Sequence, residues 1–139
     1  MSFELVLVND GSTDSTGDII RELSAKDPNI LGVFLTRNRG QCTAIYAGLQ
    51  HTRGRYVVVM DADLQHRPEE VPLLIEEMRK GWDLVSGLRR NREESLILRR
   101  LPSRVANWLL RATSKCQAHD MGGLSCLRGD VARSLNLRE

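Results

Sequence analysis

Two aspartates separated by one residue, Asp61 and Asp63, come directly after the apolar, β-branched run Tyr56-Val57-Val58-Val59-Met60. Residues two apart in extended backbone point the same way, so the two carboxylates can be aimed at one divalent cation or one sugar phosphate. Carboxylate oxygens suit Mg2+ or Mn2+, which bind through one or two protein carboxylates plus phosphate oxygens. The competing reading is a polar turn after a strand, with Asp63 capping the next element, because Asp is common in turns. This segment alone does not decide between them. A further acid, Asp10, ends another apolar run, Glu4-Leu5-Val6-Leu7-Val8-Asn9, and opens Asp10-Gly11-Ser12-Thr13-Asp14.

The elements that would position these acids are legible from periodicity. Gly11 permits a tight turn, Ser12 or Thr13 can cap the next helix, and Thr16, Ile19, Ile20 and Leu23 give its apolar stripe up to Asp27-Pro28. Residues 30–35 read as a second strand and Arg37-Asn38-Arg39-Gly40 as a basic turn. Gln41 opens a helix with Cys42, Ile45 and Leu49 inward, while small Ala47 and Gly48 suit close packing on a sheet. The run at 56–60 reads as a central strand buried on both faces. Arg67-Pro68-Glu69-Glu70 starts a helix whose stripe is Val71, Leu74, Ile75 and Met78, ended by Gly81. Residues 82–86 form a fourth strand, 124–127 a short one, and 129–137 a closing helix. Strand and helix alternating with short connections predict a parallel, right-handed α/β sheet. In such a chain Asp10 and Asp61/Asp63 fall on the C-terminal edge of the sheet, where α/β folds present ligand groups.

From Leu88 to Arg111 the character changes. Seven arginines (Arg89, Arg90, Arg92, Arg99, Arg100, Arg104 and Arg111) stand against Glu93 and Glu94, with Leu96, Ile97, Leu98, Leu101, Val105, Trp108 and Leu109 threaded through them. This basic amphipathic segment, broken at Pro102, reads either as a solvated helix on its own core or as a surface for anionic headgroups.

The 139 residues bound one domain or part of one, and a net charge of +2 gives no argument for nucleic acid as a partner. Cys42, Cys116 and Cys126 have no paired spacing and, with no signal-like start, read as reduced thiols. His51, His66 and His119 have no ligand spacing to them. No apolar run approaches the roughly 20 residues of a spanning helix, so the chain is expected to be soluble. No Gly-x-Gly-x-x-Gly and no Walker loop is present, which leaves dinucleotide oxidoreductases and P-loop nucleotidases unsupported. A phosphatase with an aspartyl nucleophile also places Asp-x-Asp at a strand end, but the expected Thr or Val after the second Asp is missing.

The segments Val8-Asn9-Asp10-Gly11-Ser12-Thr13-Asp14, Arg37-Asn38-Arg39-Gly40-Gln41 and Met60-Asp61-Ala62-Asp63-Leu64-Gln65 resemble, in that order, the family 2 glycosyltransferases of the GT-A fold. The stretches 87–95 and 103–107 and the turn Asp120-Met121-Gly122-Gly123, with Leu127-Arg128 downstream, resemble its polyprenyl-phosphate branch. The resemblance implies an α/β three-layer sandwich with a mostly parallel sheet. It makes residues 1–139 one shortened catalytic domain, with 1–87 the nucleotide- and metal-binding half and 88–139 the acceptor- and membrane-facing half.

By resemblance, Asp10 is a base-binding aspartate, Asp61 lies near ribose and phosphate, and Asp63 is the direct ligand of Mg2+ or Mn2+. Gln65 faces the acceptor, and Arg89, Arg104 and Arg128 meet the sugar diphosphate or the lipid phosphate. Asp120 is the acid near the acceptor. The implied reaction moves a sugar from a nucleotide-diphosphate sugar, uridine favoured over guanosine, to a polyprenyl phosphate with inversion. The implied place is the cytoplasmic face of a bacterial inner membrane, with an anionic membrane surface and self-association as further partners. A lipid phosphate is largely ionised at neutral pH (second pKa about 6). General-base catalysis, worth about 10²–10⁴-fold elsewhere, is therefore less needed, and Asp120 is expected to position substrate.

The chain departs from the family pattern in three places. The opening strand and its Pro-x-Tyr-Asn-Glu-like turn are not there, so the fold is expected to lack its first strand. The 139 residues hold none of the spanning helices into which the family's membrane-associated members continue, and Ser125 stands where an arginine usually succeeds the glycine turn. The rival readings are a catalytically incomplete module that oligomerises or binds a membrane surface and, more distantly, a metal-dependent phosphatase or nucleotidyltransferase.

Overall fold

β-Branched runs become strands and i, i+3, i+4 stripes become helices, with Gly, Pro and Asp between them. The computed structural model describes residues 2–88, 97–101 and 124–135. In chain order these form β1 (Leu5–Asn9), α1 (Thr16–Lys26), β2 (Ile30–Phe34), α2 (Gln41–Gln50), β3 (Tyr56–Met60), a single 3-10 turn (Pro68–Glu70), α3 (Val71–Met78), β4 (Leu84–Leu88), β5 (Ile97–Leu101), β6 (Leu124–Arg128) and α4 (Gly129–Ser134). They fall into two compact units, one ending at Gly54 and the other beginning at Arg55.

In the first unit β1 and β2 pair in parallel, from Leu5 opposite Ile30 to Asn9 opposite Phe34. Glycines let helices close on them. A Cβ on Gly32 would stand 2.7 Å from Ile20 of α1, and one on Gly48 of α2 would stand 2.9 Å from Val8. A Cβ on Gly17 of α1 would lie 3.1 Å from Asn9. Adjacent strand residues point to opposite faces, so Val8 and Asn9 put α2 and α1 on opposite sides of the pair. The start of α1 differs from expectation. Neither Ser12 nor Thr13 caps it: the N-cap is Ser15, without a side-chain cap bond, while Asp14 Oδ1 accepts the Thr16 N–H at 3.0 Å and Asn9 Oδ1 the Ser12 N–H at 2.8 Å.

The second unit holds a four-stranded sheet in the order β3-β6-β4-β5. Here an antiparallel strand enters the α/β sheet that the alternation of strand and helix predicts. β3 and β4 run the same way, as a crossover through α3 requires, but β6 lies between them, antiparallel to both. The central place therefore goes to Leu124-Ser125-Cys126-Leu127, buried at every position, while β3 stands at the end of this order and is exposed by Met60. α3 covers one face of the sheet, where Leu74 and Met78 meet Val85, Leu124 and Cys126. Burying each such side chain is worth about 1.5–3 kcal/mol. Leu84 opposite Leu127 lies buried on the other face.

One further expectation changes. Residues 97–101, expected within a basic amphipathic segment, are strand β5, paired antiparallel with β4 from Leu84–Leu101 to Leu88–Ile97. The backbone hydrogen bonds that β4 offers at that edge outweigh the weak helical period of the segment. Cys126 is a free, buried thiol. No helix among the described residues is long and apolar enough to cross a membrane.

Candidate functional site

β3 delivers its acids as it leaves the sheet. Asp61 is half-buried and Asp63 exposed at the end of the strand. Asp63 Oδ1 accepts the backbone N–H of Gln65 at 2.9 Å, an Asx-type turn that holds the carboxylate over the chain end. Leu64, between them, lies in the left-handed region with φ 61° and is 97% exposed. A leucine there costs about 1–2 kcal/mol, and outliers of this kind collect at functional turns. Nothing in the sequence flags Leu64, since left-handed positions are expected at Gly or Asn. Gln65 enters the turn through its backbone N–H.

Asp10 stands in the first unit, where its carboxylate spans two backbone groups. Oδ1 accepts the Arg39 N–H at 2.7 Å and Oδ2 the Gly40 N–H at 2.9 Å. Gly40 is the N-cap of α2 with φ 88°. Gly11, at φ 72°, packs so closely on this loop that a Cβ would fall 2.5 Å from both the Arg37 carbonyl carbon and the Asn38 nitrogen. Arg37 and Arg39 are exposed. Asp14, at the head of α1, has its carboxyl held below the usual value by hydrogen bonds from Thr16, side chain first and backbone second.

Arg128 is placed away from the Asp61–Asp63 turn. In the β3–β6 ladder it stands opposite Tyr56, whereas Leu124 stands opposite Met60, so about 13 Å of strand separates it from the end that carries the acids. Its guanidinium lies 2.6 Å from Asp83 through Nη1 and 2.6 Å from Asp130 through Nε. The Asp130 hydrogen bond, then the Asp83 charge, raises its pKa, and the Arg128 hydrogen bond lowers that of Asp130. Ser125, at the position where an arginine is expected, is buried and donates to Ser86 Oγ at 3.1 Å across the β6–β4 pair. Arg89, Arg104 and Asp120 lie outside the described residues.

Among the described residues no group of three or more His, Cys, Asp or Glu is gathered for a metal. The donor set at the end of β3 is instead two carboxylates in an open turn. That set fits Mg2+ or Mn2+ completing its shell with phosphate oxygens and water, and does not fit a closed structural zinc site.

Comparison with known proteins supplies the frame for these features. Residues 1–132 match the family model described as "Glycosyl transferase family 2". The chain is 42% identical over 121 residues to an undecaprenyl-phosphate 4-deoxy-4-formamido-L-arabinose transferase of Shewanella sediminis, covering 86% of this chain and 36% of that protein. It is 41% identical over 135 residues to the protein of the same name in Pseudomonas paraeruginosa, covering 96% and 39%. The chain thus spans well under half the length of these relatives. Among solved structures it is similar to the mannosyltransferase PcManGT from Pyrobaculum calidifontis in complex with GDP-Man and Mn2+, with a TM-score of 0.59 and 25% identity, covering 90% of this chain and 35% of that one. The α/β architecture is that of a GT-A glycosyltransferase. Strand ends carrying Asp10 and Asp61-Ala62-Asp63, and a family match running through 132 of the 139 residues, lead to one assignment: the chain belongs to glycosyl transferase family 2.

Proposed function

We propose that this chain is the donor-binding part of an inverting glycosyltransferase that moves a sugar from a nucleotide-diphosphate sugar to a polyprenyl phosphate. The observation that carries this reading is the Asp61–Gln65 turn, two carboxylates at a strand end with Asp63 pinned by the Gln65 N–H. It is supported by relatives whose name specifies undecaprenyl phosphate as acceptor and by a structural neighbour solved with GDP-Man and Mn2+.

Asp63 is assigned as ligand of Mg2+ or Mn2+, with Asp61 beside it toward ribose and phosphate, and Asp10 as a contributor to nucleotide binding. The cation, when bound, offsets charge developing on the leaving diphosphate. An ionised oxygen of the lipid phosphate forms the new bond to the anomeric carbon as the bond to the nucleoside diphosphate breaks. The attack comes from the opposite face, so the configuration inverts, and the diphosphate carries away the electron pair. Arg89 and Arg104 are assigned to phosphate charge, Gln65 to the acceptor side, and Asp120 to holding substrate rather than taking a proton. Arg128, committed to Asp83 and Asp130, is left out of this set. Residues 1–87 thus serve donor and metal and 88–139 the acceptor. The arginine-rich stretch meets the anionic cytoplasmic leaflet of a bacterial inner membrane. Uridine is favoured as the donor base.

The test is direct. The chain is incubated with undecaprenyl phosphate, Mn2+ and a panel of UDP-sugars that includes UDP-4-deoxy-4-formamido-L-arabinose, and lipid-linked sugar is sought by mass spectrometry. A glycosylated lipid of inverted anomeric configuration is expected. Sugar released only to water, or none with any donor while UDP binds without metal, overturns the reading.

A further inference from the structure

We propose that Leu64 is an acceptor-contact residue: its side chain, held out of the protein between Asp63 and Gln65, packs on the isoprenoid chain of the polyprenyl phosphate. This goes one step beyond the proposed function and rests on it.

Two separate properties of this residue point that way. Leu64 is 97% exposed, more than any other large apolar side chain among the described residues, with Phe3 at 70% next. A single exposed leucine is ordinary on a protein surface. One held in an unfavourable backbone conformation is not. Leu64, at φ 61°, is also the only non-glycine residue with a positive φ among the described residues. Glycine or asparagine adopts that region at lower steric cost and exposes no apolar side chain. Neither penalty is offset within the protein, because a side chain so exposed has almost no protein atoms against it. Strain of this kind persists at ligand clamps, where it is part of how the ligand is held.

Location decides which partner fits. Leu64 adjoins Asp63, the carboxylate assigned to the cation, whose Oδ1 holds the Gln65 N–H at 2.9 Å. Met60, the last residue of β3, adds a second exposed apolar side chain at the same strand end. Of the reactants in the proposed transfer, the nucleoside, the sugar and the diphosphate are polar, and only the lipid acceptor presents apolar surface. Its phosphate has to reach the anomeric carbon beside the cation, and the isoprenoid chain begins one oxygen away from that phosphorus. The first isoprene units therefore pass close to the turn that carries Asp63. Covering an exposed leucine with hydrocarbon is favourable in proportion to the apolar area removed from water.

The experiment uses the 139-residue chain, with methyl-labelled leucine, Mn2+ and UDP. Farnesyl phosphate, a short soluble polyprenyl phosphate, is titrated without bilayer or detergent and followed by NMR. The Leu64 methyl resonances, identified by their absence in Leu64→Asn and Leu64→Met, are expected to shift with farnesyl phosphate and not with inorganic phosphate. Asparagine tolerates the left-handed region and removes the apolar contact. Leu64→Asn is therefore expected to weaken farnesyl phosphate binding about tenfold or more, while its stability in urea and its affinity for UDP with Mn2+ hold. Leu64→Met, apolar and of similar volume, is expected to bind farnesyl phosphate nearly as wild type does. Leu64 methyls that ignore farnesyl phosphate, respond equally to inorganic phosphate, or respond only to phosphatidylglycerol vesicles overturn the proposal. So does equal weakening of UDP and farnesyl phosphate in Leu64→Asn, or a loss in Leu64→Met as large as in Leu64→Asn. A wild-type chain that binds no UDP with Mn2+ counts against the proposed function itself. The farnesyl phosphate titration repeated without nucleotide then still decides whether Leu64 meets an isoprenoid chain.

Discussion

The guanidinium of Arg128 lies 2.6 Å from the carboxylate of Asp83, joining the last residue of β6 to the residue before β4. The Arg128 backbone N–H also reaches the Asp83 carbonyl at 3.0 Å. Asp83 is buried, so removing its side chain leaves the arginine without that partner. Asp83→Ala is expected to lower stability, because Arg128 loses the buried carboxylate that its charge faces. Because the pair sits at the far end of the β3–β6 ladder from Asp61, metal-dependent nucleotide affinity is expected to change less than twofold. Urea unfolding and a nucleotide titration on one preparation check both halves.

Leu64 offers a test of backbone strain. Its left-handed φ of 61° costs about 1–2 kcal/mol, against about 0.5–1 kcal/mol for the extra freedom glycine brings to the unfolded chain. Leu64→Gly is therefore expected to hold stability or raise it by up to about 1 kcal/mol, while Leu64→Val, β-branched and worse in that region, lowers it. A glycine variant less stable than the valine variant in urea would show that the leucine side chain, not the backbone, secures the turn.

Cys126 sets an alkaline limit. Burial pushes its thiol from 9.0 up to about 12, so the folded state keeps a proton that the unfolded state has lost. Unfolding then releases a proton, and stability falls as pH rises from about 9 toward 12, by at most about 1.4 kcal/mol per pH unit. Below pH 9 the group contributes its full effect. Any advantage of wild type over Cys126→Ala is expected to fall progressively over that window and to be constant below it. Thiol reagents should leave Cys126 unmodified until the chain unfolds.

Local structure is the most legible part of this molecule. The apolar runs at 5–9, 30–34 and 56–60 and the stripe at Leu74, Ile75 and Met78 carry periodicity, and strand and helix form there as that periodicity predicts. Close packing at Gly48 accords with its size. Pairing is less legible. β6 enters between β3 and β4 from far downstream in the chain, a long-range choice that local pattern does not encode. Residues 97–101 illustrate the same limit, since their apolar positions suit a helix face nearly as well as a strand, and only the edge of β4 decides. At the candidate site the acids stand out by type and spacing, but what they hold does not. Asp10, a base contact by resemblance, has both oxygens on backbone amides. Arg128, a phosphate contact by resemblance, is paired with Asp83 and Asp130. Backbone amides and salt-bridge partners are set by tertiary proximity, and no residue type announces them.

Asp63 is proposed to hold a divalent cation on which nucleotide binding depends. Calorimetric titration of UDP into the chain, with Mn2+ and again with chelator, tests it most directly, alongside Asp63→Ala. Asp63 is exposed, so the variant is expected to keep its fold, as circular dichroism can verify. Binding heat with Mn2+, little or none with chelator, and loss of the Mn2+-dependent heat in Asp63→Ala are expected. Equal binding with and without metal, or full Mn2+-dependent binding in the variant, would contradict it.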